Sequence, residues 1–297
     1  MQVVDPRELY AWCQVPFDRL ENHPDLKVPF RMCKDSVAMG KMMAAELVDL
    51  IEANNKAGKP TRAIIPCGPS CWYQPWGEEV NRRNVSLRDL TVFHMDECLD
   101  WQGRPLPDAH PYNFRTFMEK HFYGPVQPKL NVPEAQRFWA LPDRINETLE
   151  ALDSAPVDLT YGGWGQDGHI AYNQARRHPF SHVRIDDVRH STMRVQTNNL
   201  DTIIALAQRT FGTAYQFVPP MSVTLGVKEC LSAKQVRLFS DTGAWKQTAL
   251  RVALFGAVTP EYPITLVQEH PDALVTATLE TAKHPVSEHP EWDLGLE

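Results

Sequence analysis

Long apolar runs are missing from this sequence: no stretch approaches the roughly 18–20 residues needed to cross a bilayer. The opening MQVVDPRELYAWC also lacks the basic-then-apolar order of a secretory signal. The expectation is a cytoplasmic protein with no membrane partner. Positive charge is scarce too. Lys and Arg number 30 against 37 Asp and Glu, a net charge of −7, which excludes a broad phosphate-neutralising face for nucleic acid. A phosphorylated small molecule remains compatible, because one local Lys/Arg pair can hold it. Internal repeats and low-complexity tracts are absent, and 43% hydrophobic with 23% charged residues excludes disordered and fibrous classes. The six cysteines, at 13, 33, 67, 71, 98 and 230, read as reduced thiols in a cytoplasmic chain. Cys67, Cys71 and Cys98 fit no regular zinc spacing. His178 and His182 are four apart, but Pro179 separates them and no paired ligand motif follows, so they read as surface-loop histidines.

What is present is a repeating alternation of strand and helix signals. Residues 1–33, rich in Pro, Asp and His, are expected to form an extended arm with at most one short helix, ahead of a single α/β domain over 34–297. Asp35 or Ser36 can cap a helix whose Val37, Ala44, Leu47, Val48 and Ile51 recur at helical spacing until Gly58 and Pro60. Arg62–Ile65 reads as a buried strand that turns at Pro66-Cys-Gly-Pro-Ser70. Strands are expected at 90–93, 157–161, 236–240 and 264–267, and helices at 143–152, 199–211 and 243–255. This order predicts a mostly parallel open sheet with helices on both faces, a three-layer α/β fold. The Pro-rich insert 100–112 is either a lid or a surface connection, and residues 284–297 read as a loosely ordered tail.

The polar and glycine-rich segments fall directly after strands, where open α/β sheets bind ligands. Three strand ends therefore nominate three pieces of one site: 66–70, 94–97 and 162–174. In Gly162-Gly-Trp-Gly-Gln-Asp-Gly-His169, four glycines in seven residues let backbone approach a ligand, Gly163 and Gly165 among them. Asp167 and His169 are one glycine apart, and a carboxylate beside an imidazole fixes its tautomer and raises its basicity. Asp96 and Glu97 are adjacent on an extended chain, so one is expected to face the crevice and the other to brace the loop.

The combination resembles the glucosamine-6-phosphate deaminase family. Phe93-His-Met-Asp-Glu97 is similar to that family's phenylalanine-x-methionine-aspartate-glutamate signature. Gly162–Gln174 is similar to its central glycine-glycine-x-glycine-x-aspartate-glycine-histidine motif. Arg194-Val-Gln-Thr197, Asp201-Thr202, Val223–Val227, the helix carrying Lys246, and Leu266–Pro271 follow in order, so the likeness covers about residues 35–280. The wider superfamily includes 6-phosphogluconolactonases and ribose-5-phosphate isomerases. The lactonases continue the shared motif with threonine-alanine-serine where this chain has Ile170-Ala-Tyr-Asn173, which favours the deaminase branch. The resemblance implies a reaction without metal or organic cofactor: ring opening of a sugar phosphate, proton transfer between C2 and C1, and loss of ammonia. It matches Asp96 to the proton-transfer base and His169, oriented by Asp167, to the ring-opening acid–base. Gly68, Ser70, Glu97, Gly163 and Gly165 are expected at the substrate, and Arg209 and Lys246 at its phosphate. It also implies a homo-oligomer, with Arg194 matching a position used at an effector site between subunits.

Two departures stand out. Gln174 replaces the glutamate that partners the histidine in the family, and an amide carries no charge to favour the imidazolium. Cys67-Gly-Pro-Ser70 replaces threonine-glycine-glycine-threonine, and Pro69 removes one backbone N–H of the kind that cradles an anion. Three functions fit these features: an aminosugar-phosphate deaminase/isomerase, a lactonase-like hydrolase, or a sugar-phosphate-binding protein without turnover.

Overall fold

The computed structural model describes residues 4–175 and 183–296; His178 and His182 lie outside them. Among the described residues, ten strands make two sheets: β1 Phe30–Cys33, β2 Thr61–Ile65, β3 Leu90–His94, β4 Asp96–Leu99, β5 Arg137–Phe138, β6 Leu159–Gly162, β7 Arg194–Thr197, β8 Met221–Thr224, β9 Gln235–Ser240 and β10 Ala273–Thr278. The main sheet runs β1-β10-β9-β6-β2-β3-β5, with every neighbouring pair parallel. Its strands read as continuous apolar runs because both faces are covered. In β2, Ile64 packs into one hydrophobic cluster, with Leu250 and Leu254 of the helix Gln247–Phe255. Ala63 and Ile65 pack into the other, with Met43 and Leu47 of the helix Ser36–Lys56. The expected three-layer α/β architecture is what forms. The helix Ser36–Lys56 starts where Asp35 accepts the Ala38 N–H at 2.8 Å, a cap that contributes about 1 kcal/mol.

The smaller sheet, β4-β8-β7, is antiparallel and was not legible in the strand signals. Met95 joins the two sheets: its N–H donates to Ile65 O at 3.1 Å and its carbonyl accepts from Leu225 N at 2.9 Å. Asp96 leaves this junction as the first residue of β4, at the carboxyl edge of the main sheet.

Several expected boundaries shift. Residues 264–267 are not a strand; they lie in the 3-10 helix Pro263–Glu269, because Pro263 fixes a helical φ at its first position and Thr265 folds its hydroxyl back onto Tyr262 O at 2.8 Å. The strand follows instead, as β10. The expected arm is more ordered than its composition indicates. It contains the helix Pro6–Cys13 and ends in β1, which pairs with β10 from Phe30 to Cys33. The tail is tied to that first helix, through Arg7 Nε to Leu296 O at 3.0 Å and Tyr10 OH to Trp292 O at 3.2 Å. Among the described residues, no helix is long and apolar enough to cross a membrane.

Candidate active site

The ends of β2, β3 and β6 open on one cleft of about 530 Å³. It is lined by Gly68, Pro69 and Ser70 after β2, Asp96 after β3, and Gly163, Trp164 and His169 after β6. A fourth strand end contributes as well, because Asp241 and Thr242 follow β9 into the same cleft. The order strand, then polar residues, then Gly243 is the signal that could have nominated them. Among the described residues, no three His, Cys, Asp or Glu side chains gather into a metal-holding group. Cys67 lines the cleft, but burial pushes its thiol well up, leaving it in the non-nucleophilic form.

The Asp167–His169 pair is built by the glycine turn. His169 Nδ1 meets Asp167 Oδ1 at 2.6 Å. The ring lies directly over Gly165, where a Cβ would come within 2.1 Å of it, so only glycine permits this placement. Gly165 N also donates to His169 O at 3.0 Å. Burial works to raise the Asp167 carboxyl, but the His169 charge and hydrogen bonds outweigh it and hold the group below its ordinary value. Asp167 is thus the ionised partner that fixes Nδ1 as the protonated nitrogen and turns Nε2 outward. Tyr172 stacks beside the imidazole, with ring centroids 5.8 Å apart and an interplanar angle of 13°. The antiparallel sheet holds the rest of this segment, since Tyr172 N donates to Thr224 Oγ1 at 3.0 Å and Asn173 Nδ2 to Leu225 O at 2.8 Å.

Asp96 and Glu97 divide as the pleat requires. Asp96 lines the cleft. Its carboxyl is raised to about 7, by burial first and by the neighbouring Glu97 charge second, against the pull of His169. A carboxylate with that pKa can accept and return a proton near neutrality. Glu97, expected at the substrate, is not there. Its Oε1 accepts from Cys98 N at 2.9 Å and Phe114 N at 2.8 Å, and Oε2 from Arg115 N at 2.7 Å. It braces the start of the short helix Phe114–Met118. Burial still pushes its carboxyl up to about 7 against those three donors.

At the other end of the cleft stand Lys246 and Arg209. Burial, and then the adjacent Arg209 charge, bring the Lys246 ammonium down to about 7 despite the pull of Asp241. Gly163 faces this end: a Cβ there would make ordinary contact with Gly68 O at 3.6 Å and Lys246 Nζ at 4.0 Å. Of the insert 100–112, only Pro111 and Tyr112 line the cleft. Tyr112 shares a hydrogen bond of 2.7 Å with Thr210 Oγ1, on the helix Leu200–Thr210 that carries Arg209.

Comparison with known proteins bears on this arrangement. No family model matches the chain. A glucosamine-6-phosphate deaminase of Parabacteroides distasonis is 33% identical over 244 residues, covering 75% of this chain and 78% of the relative. The chain belongs to the glucosamine-6-phosphate deaminase family. A deaminase of Aliivibrio fischeri is 30% identical over 80% of the chain and 85% of its own length. Among solved structures, a monomeric glucosamine-6-phosphate deaminase superposes with a TM-score of 0.71 at 21% identity, over 85% of this chain and 98% of that one. A 6-phosphogluconolactonase of Shewanella baltica gives 0.58 at 14% identity, over 84% and 97%. Both structures share the fold.

Against the glucosamine-6-phosphate deaminase pattern, Gln174 takes a different position from the one expected. Its side chain is buried away from His169, donating from Nε2 to Thr202 Oγ1 at 2.6 Å and accepting from Asn199 N at 2.8 Å. It therefore secures the start of the helix Leu200–Thr210, and the carboxylate on His169 is Asp167. Gln174 was misplaced because its partner helix begins 25 residues further along the chain. Arg194 is engaged within the same region, donating to Asn173 Oδ1 at 2.9 Å and Gln196 Oε1 at 2.9 Å.

Proposed function

We propose that this chain deaminates and isomerises a 6-phosphorylated aminosugar, with glucosamine 6-phosphate as the first substrate to test. The observation that carries this reading is the joint placement of a partly shielded carboxylate, a carboxylate-paired imidazole and two cations along one cleft. The phosphate lies toward Lys246 and Arg209, and the sugar carbons toward Asp96 and His169. His169 moves the proton between the anomeric hydroxyl and the ring oxygen, with Asp167 supporting the imidazolium as it forms. Asp96 removes the C2 proton of the open chain and returns it to C1. The resulting C2 imine takes up water and releases ammonia, leaving a ketose phosphate. Each proton taken is returned, so the sequence needs no oxidant or reductant.

Family membership and the Ile170-Ala-Tyr-Asn173 continuation of the motif favour this reading over lactone hydrolysis, and the Asp167–His169 pairing favours it over binding without turnover. The test is ammonia release from glucosamine 6-phosphate by the purified chain, run beside 6-phosphogluconolactone hydrolysis. Ammonia without lactonase activity supports the proposal; lactone hydrolysis alone, or ligand-induced thermal stabilisation with neither reaction, defeats it. We further propose a cytoplasmic homo-oligomer, which sedimentation velocity of the full chain would establish or refute.

A further inference from the structure

The cleft gathers two cations, Arg209 and Lys246, with the Asp241 carboxylate acting on the lysine. Among the described residues neither Arg209 nor Lys246 makes a salt bridge, yet the Arg209 charge is felt at Lys246 strongly enough to help depress it. Like charges brought together at the rim of a cleft repel; Asp241 offsets part of this at Lys246, and a second group faces both cations. The group in place is the indole of Trp245, in the turn Ala244–Lys246 that follows β9. Arg209 Cζ sits 4.6 Å from its ring centre and Lys246 Nζ 4.9 Å, both within cation–π range. A second indole supports the lysine: Trp164 lies 5.8 Å from Nζ and donates its Nε1–H to Lys246 O at 3.3 Å.

The arginine is the more dependent of the two. Lys246 rises from a turn closed by Gly243 and followed by the buried helix Gln247–Phe255, so its backbone is fixed. Arg209 projects from the penultimate position of the helix Leu200–Thr210 on an exposed face. An exposed arginine samples many rotamers, and a planar fork recognises an oxyanion only when it is held in one orientation. The indole supplies that orientation from a separate element, the turn Ala244–Lys246.

We infer that Trp245 is the positioning residue of the anion site, a single indole that holds Arg209 and Lys246 so that both converge on one phosphate. This rests on reading the cleft as a sugar-phosphate site and adds to it the element that sets phosphate affinity. Trp245 touches the two cations and need not touch the substrate, so its loss should appear in binding and not in the chemical step.

The experiment compares Trp245→Leu, which keeps an apolar side chain without a π face, with Trp245→Phe, which restores one. Inorganic phosphate binding is measured by calorimetry on the full chain, and ammonia release from glucosamine 6-phosphate on the same preparations. Trp245→Leu should weaken phosphate binding and raise KM about tenfold, with kcat changed less than about twofold, and Trp245→Phe should recover most of the loss. A merely structural role would not be rescued by a ring and would lower kcat together with thermal stability. Arg209→Met, alone and combined with Trp245→Leu, gives a second measure: if the indole works through Arg209, the two effects are less than additive. Unchanged phosphate affinity in Trp245→Leu, or strictly additive effects, overturns the inference while leaving the sugar-phosphate reading intact. A native chain that binds neither inorganic phosphate nor glucosamine 6-phosphate overturns both.

Discussion

At the reacting end of the cleft, Asp96, Asp167 and His169 stand on backbone that is locked from several sides. Met95 is hydrogen-bonded to Ile65 at the end of β2 and to Leu225 after β8, the His169 carbonyl is tied to Gly165, and Asn173 is pinned to Leu225. At the anion end, Arg209 and Lys246 arrive on separate elements and meet through side chains over Trp245. The first arrangement fixes atoms to the tolerance that proton transfer requires. The second is assembled by contacts each worth about 0.5–2 kcal/mol. Substitutions at the reacting end should therefore lower kcat, and those at the anion end should raise KM.

The largest effect expected is at Asp96. Asp96→Asn removes the proton carrier and should lower kcat for ammonia release by about 10²–10⁴; a loss of only a few-fold would break the distinction between the two ends. His169→Gln and Asp167→Asn should each cost about 10²-fold in kcat, because ring opening then lacks a correctly protonated imidazole. Lys246→Met should instead raise KM about tenfold or more with kcat nearly retained, as loss of a phosphate contact implies. Steady-state kinetics on the four variants sharpens or erases the comparison.

The pH profile offers a test across both ends. Asp96, raised to about 7, acts as a base only when ionised, so kcat/KM should fall as pH drops below about 7. Lys246, lowered to about 7, holds phosphate best when protonated, so kcat/KM should also fall as pH rises above about 7. The expected profile is a narrow bell near neutrality, and Lys246→Met should flatten its alkaline limb. Stability provides the sign check for Asp96. Its folded pKa exceeds the ordinary 3.8, so the folded state holds a proton that the unfolded chain has released. That contribution is full at low pH and is lost as pH rises through about 7. Asp96→Asn should accordingly raise Tm relative to the native chain at pH 8 more than at pH 5.

Smaller effects are expected at Glu97 and Gln174, whose side chains bond to N–H and hydroxyl groups of neighbouring segments. Glu97→Gln replaces an acceptor of three backbone N–H groups with an amide and should cost about 1–3 kcal/mol in urea denaturation. Gln174→Glu should change turnover by no more than about twofold, since the side chain faces Thr202 and Asn199 and not the imidazole. A large gain in ammonia release from that variant would show that position 174 does reach His169 during turnover.

The sequence revealed most where backbone and chemistry coincide. β2, β3 and β6 are apolar runs with turn, acidic or glycine-rich segments close behind them, so the parallel sheet and the neighbourhood of Asp96 and His169 could be read from order. β4, β7 and β8 were hidden, because Asp-Glu-Cys-Leu and Arg-Val-Gln-Thr gain strand character only by pairing with the two edges of β8. Glu97 and Gln174 were read at the correct places in the motif with the wrong partners. Their side-chain directions are set by N–H groups that approach from 17 and 25 residues away, which no local pattern encodes. Trp245 and Tyr112 went unnoticed for the same reason: their roles exist only once the helix Leu200–Thr210 lies against the cleft.

The most direct test of Asp96 as the proton carrier is solvent deuterium incorporation, followed by NMR, at C2 of glucosamine 6-phosphate and C1 of the ketose product in D₂O. It should be run on the native chain and on Asp96→Asn, with inorganic phosphate affinity measured on the same samples. Exchange should be lost in Asp96→Asn while phosphate affinity stays unchanged. Exchange that continues at the native rate in that variant would contradict the assignment of Asp96.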